Sequence, residues 1–202
     1  MSVFSEVKKS LQARGYEVSE FDTSAEAVNY LSNLIHRKTV GFGGSVTLND
    51  IGLYEALSSD NDVYWHWKCK DGISASETIK KAQSADIYFT SANALSQDGI
   101  IVNIDGNCNR VSAMTYGHEK VFFIIGKNKL CNNEQEAVSR SRNTAAPLNA
   151  KRLGKKTPCS KNADKCYDCN SPERICKCLS VLWRCSGAQK TEVVLINEAL
   201  GY

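Results

Sequence analysis

Thr39-Val-Gly-Phe-Gly-Gly-Ser-Val-Thr47 decides how the chain is read. Thr39–Phe42 is a short apolar run that predicts a buried strand, and Gly43-Gly44 ends it. Thr47 then caps a predicted helix running to about Leu57, with Asp50 three residues on as a capping-box partner. Strand, glycine turn and helix in that order form a βα unit. Glycines let backbone N–H groups approach an anion, and the helix N-terminus adds partial positive charge, so Gly43, Gly44, Ser45 and Thr47 are candidate cofactor-binding residues. A tight turn whose glycines serve backbone geometry alone is the alternative, and both readings stand. The dinucleotide fingerprint fails because Val46 stands where a third glycine is required, and no Gly-Lys-Ser/Thr follows to make a P-loop.

Outward from this turn the pattern alternates. Residues 2–14 read as an amphipathic helix through Val3, Val7 and Leu11, and Asp22 or Thr23 can cap a helix reaching Ile35. Strands are expected over 62–67, 86–89, 99–104, 110–115 and 120–125, with a helix over 74–84. Another helix is expected over 134–145, with acids in its first turn, Arg140 and Arg142 in its last, and Pro147 interrupting or redirecting it. Thr191–Ile196 is the last strand. Strands alternating with helices imply an α/β fold, a mostly parallel sheet with flanking helices, over one domain of 1–202. Residues 155–186 lack periodicity and read as a cysteine-rich insertion before the last strand.

Composition narrows the function classes. The chain has 202 residues, 42% of them hydrophobic and 23% charged, ordinary for a globular protein. The start, MSVFSEVKKS, lacks an apolar signal-peptide core, and the most apolar run, Val121–Gly126, is too short to span a bilayer. A cytoplasmic location without membrane association is therefore expected. The net charge of +3 hides an asymmetry: residues 151–190 carry ten Lys or Arg against three carboxylates, an excess of seven, so the remainder is −4. This patch coincides with cysteines rather than with a nucleic-acid motif, so nucleic acid is not an expected partner.

Six of the nine cysteines lie in the pattern Cys159-x6-Cys166-x2-Cys169-x6-Cys176-x-Cys178-x6-Cys185. A C-x2-C pair lets two thiolates meet one ion from a tight turn. Thiolates around a metal carry net negative charge that nearby cations offset. Ordinary buried cysteines are the plainer alternative, but the segment is strongly polar. Neither a ferredoxin run nor a paired zinc ribbon is present.

Polar residues also cluster at predicted strand ends, where open α/β sheets bind ligands. Asp98 and Asp105 could act as acid or base. Arg110, Lys127 and Lys129 could hold a carboxylate or phosphate. Turn chemistry and solvated lysines are the alternative. No G-x-S-x-G is present, and His36, His66 and His118 have no sequence partner that makes a triad.

Five blocks, GFGGSVTL (41–48), TSANALSQDGIIVNIDGNCNRVSAM (90–114), VFFIIGKNKL (121–130), AAPLNAKRLGKKTPC (145–159) and CYDCNSPERIC (166–176), resemble the lactate-utilisation (LUD) family in its order. Cys108 stands where family members commonly have glycine, and His118 where proline is usual. The resemblance implies a Rossmann-like sheet of the sugar-phosphate isomerase, CoA-transferase and folate cyclo-ligase type. It also implies a bacterial role in oxidation of lactate or a related hydroxy acid, an oxidoreductase component working with iron–sulfur partner proteins. On this basis Cys159, Cys166, Cys169 and Cys176 are the expected metal ligands, for an iron–sulfur cluster (4Fe-4S) ahead of zinc. Asp98, Asn109, Arg110 and Lys129 are the expected catalytic set, acting on a small anionic substrate. Redox partner proteins are expected, and a homodimer is compatible. A transferase, isomerase or cyclo-ligase binding a phosphorylated or CoA-linked substrate at the glycine turn is the competing reading, and a metal-stabilised, non-catalytic partner is the third.

Overall fold

The structure is a computed structural model and describes residues 2–202. Its centre is a six-stranded sheet, entirely parallel, in the order β1 (Glu17–Phe21), β10 (Lys190–Ile196), β7 (Lys120–Gly126), β4 (Ile87–Thr90), β2 (Thr39–Phe42), β3 (Asp62–Trp65). A central parallel strand must be apolar on both faces because helices cover both. In β7, Val121, Phe123 and Ile125 pack with helices α1 (Ser5–Ala13), α5 (Ala75–Gln83) and α6 (Asn109–Thr115). Phe122 and Ile124, pointing the other way, pack with α2 (Ser24–Leu34), α3 (Val46–Asp50) and α4 (Leu53–Ser58). The expected α/β architecture is present.

Beside it stands a second sheet, β8 (Leu130–Cys131), β5 (Ala94–Ser96), β6 (Ile101–Asp105) and β9 (Cys178–Leu182), in that order, with both neighbours of β6 antiparallel to it. The stretch 155–186 is consequently more regular than its sequence implies. It opens with α9 (Pro158–Asn162), and its later part supplies β9, which pairs along the whole of β6.

Three expectations are corrected. Residues 110–115, whose alternation suggests a strand, form α6. The Asp105 carboxylate accepts the backbone N–H groups of Asn107, Cys108 and Val111, which opens a helix there. The cap of the helix after the glycine turn is Ser45, not Thr47, since Ser45 Oγ accepts the Leu48 N–H at 3.2 Å. That helix stops at Gly52, whose φ of 67° is left-handed, and α4 resumes beyond it, so Asp50 has no capping-box role. Finally, Pro147 does not end the helix begun at Glu134. A π turn over Ser141–Ala145 joins α7 (Glu134–Arg140) to α8 (Ala146–Arg152), and Pro147 sits in the first turn of α8, where a missing N–H is tolerated. Among the described residues no helix is long and apolar enough to cross a membrane.

Candidate functional site

A cleft of about 500 Å³ opens at the carboxyl edge of the parallel sheet. Its base comes from segments that follow β2, β3, β4 and β7: Gly44–Thr47, His66–Trp67, Ser91–Asn93 and Lys129. Parallel strands all end at one edge, so residues distant in sequence meet there. Another wall is Pro172, Glu173, Arg174, Ile175 and Lys177 of the cysteine-bearing stretch, and Arg152, Lys155 and Tyr202 complete it. Six basic side chains, Arg110, Lys129, Arg152, Lys155, Arg174 and Lys177, line it against two carboxylates, Asp105 and Glu173. Such a cleft favours an anion.

The two arginine and lysine candidates play different parts. The Arg110 guanidinium donates to the carbonyls of Ser91 at 3.0 Å and Ile104 at 2.9 Å, and to Asn103 Oδ1. Its Nε lies 3.8 Å from Asp105. Burial holds its pKa below the ordinary arginine value. With its donors turned to the protein, Arg110 ties β4 and β6 together under the cleft and is not a free anion clamp. Gly43 makes room for it: a Cβ there would come within 2.9 Å of Arg110 Cγ. Gly43 thus serves packing, whereas Gly44, Ser45 and Thr47 reach the cleft.

Lys129 is 3% exposed. Its Nζ donates to Thr47 Oγ1 at 2.7 Å and Ser91 Oγ at 2.8 Å. Among the described residues it forms no ion pair with a carboxylate. Burial, with Arg140 and Arg110 nearby, lowers its pKa to about 7. It was expected as a charged clamp; it is a buried amine at the cleft floor. Asn109, the first residue of α6, lines the cleft as expected.

Asp98 lies elsewhere. It is exposed in the turn between β5 and β6, its carbonyl accepts from Arg14, and the neighbouring Gly99 packs on α1. Its Asp-Gly sequence is turn chemistry. His118 stacks on Tyr88 and bonds the Ala85 carbonyl inside the core. His66, in contrast, lines the cleft, where burial lowers its pKa. Beside it Trp67 carries the Arg152 guanidinium 4.6 Å from its ring centroid, and Tyr202 Oη accepts from Arg152 at 2.9 Å. His66, Trp67 and Tyr202 carry no local motif, and Ser91 and Arg152 lie inside family-like blocks that do not single them out; the rule that ligands bind beyond strand carboxyl ends points to the Ser91 and His66 segments.

All nine cysteines are free thiols. Burial, then the charges of Cys159 and Cys166 and, more weakly, Cys169 raise the pKa of Cys176, so the four expected ligands are neighbours. Cys166 Sγ accepts from the Asp168 N–H at 3.3 Å and from Arg142 at 3.6 Å. Yet among the described residues no three His, Cys, Asp or Glu side chains are gathered to hold one ion. Cys166, Cys176 and Cys178 line a smaller pocket of about 270 Å³ that shares Arg174 and Lys177 with the cleft. Arg174 donates to the carbonyls of Cys169 at 2.7 Å and Cys176 at 2.9 Å.

A family model of the LUD domain matches residues 4–196. A crystal structure of a DUF162 family protein from Deinococcus radiodurans shares the fold at a TM-score of 0.53 and 12% identity, over 95% of this chain and 94% of that one. No curated protein matches. With the family model spanning nearly the whole α/β body and its cleft, the chain belongs to the LUD domain family.

Proposed function

We propose that the cleft handles a small hydroxy acid, lactate or a relative, as one component of its oxidation, and that Cys159, Cys166, Cys169 and Cys176 hold an iron–sulfur centre beside it. The observation that carries this reading is Arg174, which lines the cleft while its guanidinium grips the carbonyls of two of the four cysteines. The donor types suit such a group, with four thiols in one stretch, N–H groups directed at one sulfur and arginines to offset thiolate charge, and the thiols would have to draw together to ligate it. Bound, a centre of this kind supplies one-electron transfer. The chain's own residues then divide the work. Lys155, Arg174 and Lys177 attract the carboxylate, and Lys129, neutral in part near pH 7, can take a proton from the substrate hydroxyl. Free thiols suit a reducing cytoplasm, and electrons would leave to a redox partner protein.

The test is anaerobic purification followed by iron, sulfide and zinc analysis of the parent and of four single Cys→Ser variants. Iron and sulfide in the parent, reduced in each variant, support the centre. Protein with neither iron nor zinc would sink it. A second reading, a transferase or isomerase acting on a phosphorylated or CoA-linked substrate, draws on the ring of Trp67 with Arg152 and Tyr202 at the cleft wall, a platform for an aromatic group. Colourless, zinc-containing protein that binds phosphate esters would select it.

A further inference from the structure

The hydrogen bonds around Lys129 define more than its burial. Ser91 Oγ–H is donated to the Ile124 carbonyl at 2.6 Å, and Thr47 Oγ1–H to the Leu200 carbonyl at 3.3 Å. Each hydroxyl has one proton, so towards Lys129 both oxygens act as acceptors. A neutral amine has two N–H bonds and one lone pair. The two acceptors use both N–H bonds and leave the lone pair as the remaining position. An ammonium group would instead carry a third N–H, and no carboxylate pairs with it among the described residues. The surroundings therefore accommodate the neutral amine, while the ammonium form lacks a charge partner.

The charged groups facing it agree. Burial first, then the charges of Arg140 and Arg110, disfavour its protonation, and Asp50 opposes them; the resulting pKa of about 7 leaves a substantial neutral fraction at physiological pH. Arg140 is itself fixed, donating to the carbonyls of Asn128 and Asn93. Buried lysines of this kind serve as nucleophiles towards carbonyl groups. The cleft that Lys129 lines also contains Lys155 and Lys177, which form no ion pair among the described residues.

We propose that Lys129 is a Schiff-base lysine, which condenses with the carbonyl of a small 2-oxo acid whose carboxylate is held by the cleft's cations. This rests on the cleft as the site for a small carboxylate and deepens it, since a 2-oxo acid is the oxidised form of a 2-hydroxy acid. In the step, the Nζ lone pair attacks the carbonyl carbon and a C–N bond forms. Nitrogen passes one proton to the former carbonyl oxygen, which takes a second from solvent and leaves as water. A protonated imine remains, with no net oxidation or reduction. Thr47 and Ser91 are positioning residues that hold the amine.

The experiment incubates the full chain with pyruvate or glyoxylate, adds sodium borohydride, and maps modified lysines by peptide mass spectrometry, with calorimetry of the same acids run in parallel. Expected is one reduced adduct, on Lys129, abolished in Lys129→Met, retained in Lys127→Met and falling in yield as the pH drops below 7. Excess lactate should reduce it. Saturable binding of pyruvate without an adduct on Lys129 would overturn the Schiff base and leave the carboxylate cleft standing. Adducts spread over surface lysines, unchanged in Lys129→Met, would overturn it equally. Absence of binding by pyruvate, glyoxylate and lactate alike would remove the cleft reading and this one together. Should Lys129→Met fail to fold, the peptide map of the unaltered chain decides.

Discussion

Gly43 lies against Arg110 so closely that a Cβ at position 43 would sit 2.9 Å from Arg110 Cγ and 3.0 Å from its Cδ. The glycine admits the aliphatic part of a buried arginine, and that arginine joins the carbonyls of Ser91 and Ile104. Gly43→Ala should overpack this contact and destabilise by about 1–3 kcal/mol. For Gly44→Ala the nearest atoms are those of His66 and Trp67, at 3.3 Å and beyond, so it should melt near the parent temperature while weakening ligand binding. Thermal melts of the two variants check this; equal destabilisation would contradict the division of roles.

Arg110→Met keeps much of the volume but strips partners from the Ser91 and Ile104 carbonyls and from Asp105. Losing one member of such a buried network costs on the order of 3 kcal/mol. Melting temperature should fall markedly. Normal stability with lost anion binding would instead make Arg110 a ligand-binding residue, contrary to its geometry.

The Lys129 amine makes stability depend on pH. Unfolded, it holds its proton up to about 10.5; folded, only up to about 7. Between those values the unfolded state binds more protons, so stability rises with pH, and below 7 the penalty is fully present. The slope approaches about 1.4 kcal/mol per pH unit for one such group. Raised thiols at Cys131, Cys176 and Cys178 and raised tyrosines at Tyr16 and Tyr88 act oppositely at higher pH. The parent-minus-variant difference therefore isolates Lys129. Lys129→Met should be more stable than the parent at pH 6, and the gap should narrow by pH 9 in denaturant titrations. A gap independent of pH would contradict a depressed lysine.

Much of the fold was legible because local chemistry and tertiary structure agree. β2 and its glycines, the cap at Thr23 and the helix opening at Ser74 all stand where the sequence places them. β1 escaped notice because Glu17-Val-Ser-Glu-Phe21 is polar, as an edge strand paired only to β10 can be. α6 was misread because its alternating residues outweighed an initiator, Asp105, lying outside the helix. Asn109, Lys129 and the turn at Gly44–Thr47 line the cleft and are also singled out by the sequence, since each follows an obvious apolar strand or polar turn. Arg174 is one of ten basic residues over 151–190, and nothing local singles it out. Its place on the cleft depends on β9 pairing with β6, a long-range contact with no local signature.

The central claim is that the cleft between the glycine turn and the cysteine-bearing wall binds a small anion. Calorimetry on anaerobically prepared full chain tests it most directly, with lactate, pyruvate and inorganic phosphate as probes and with Lys155→Met and Lys177→Met as variants. Lys155 and Lys177 line the cleft and carry no ion pair among the described residues, so the fold should tolerate both changes. The account predicts saturable binding of lactate or pyruvate ahead of phosphate, weakened several-fold or more in each variant, on the scale of about 1 kcal/mol or more for a lost charged contact. Folded parent protein that binds none of the three, or binds one with an affinity neither variant changes, would contradict it.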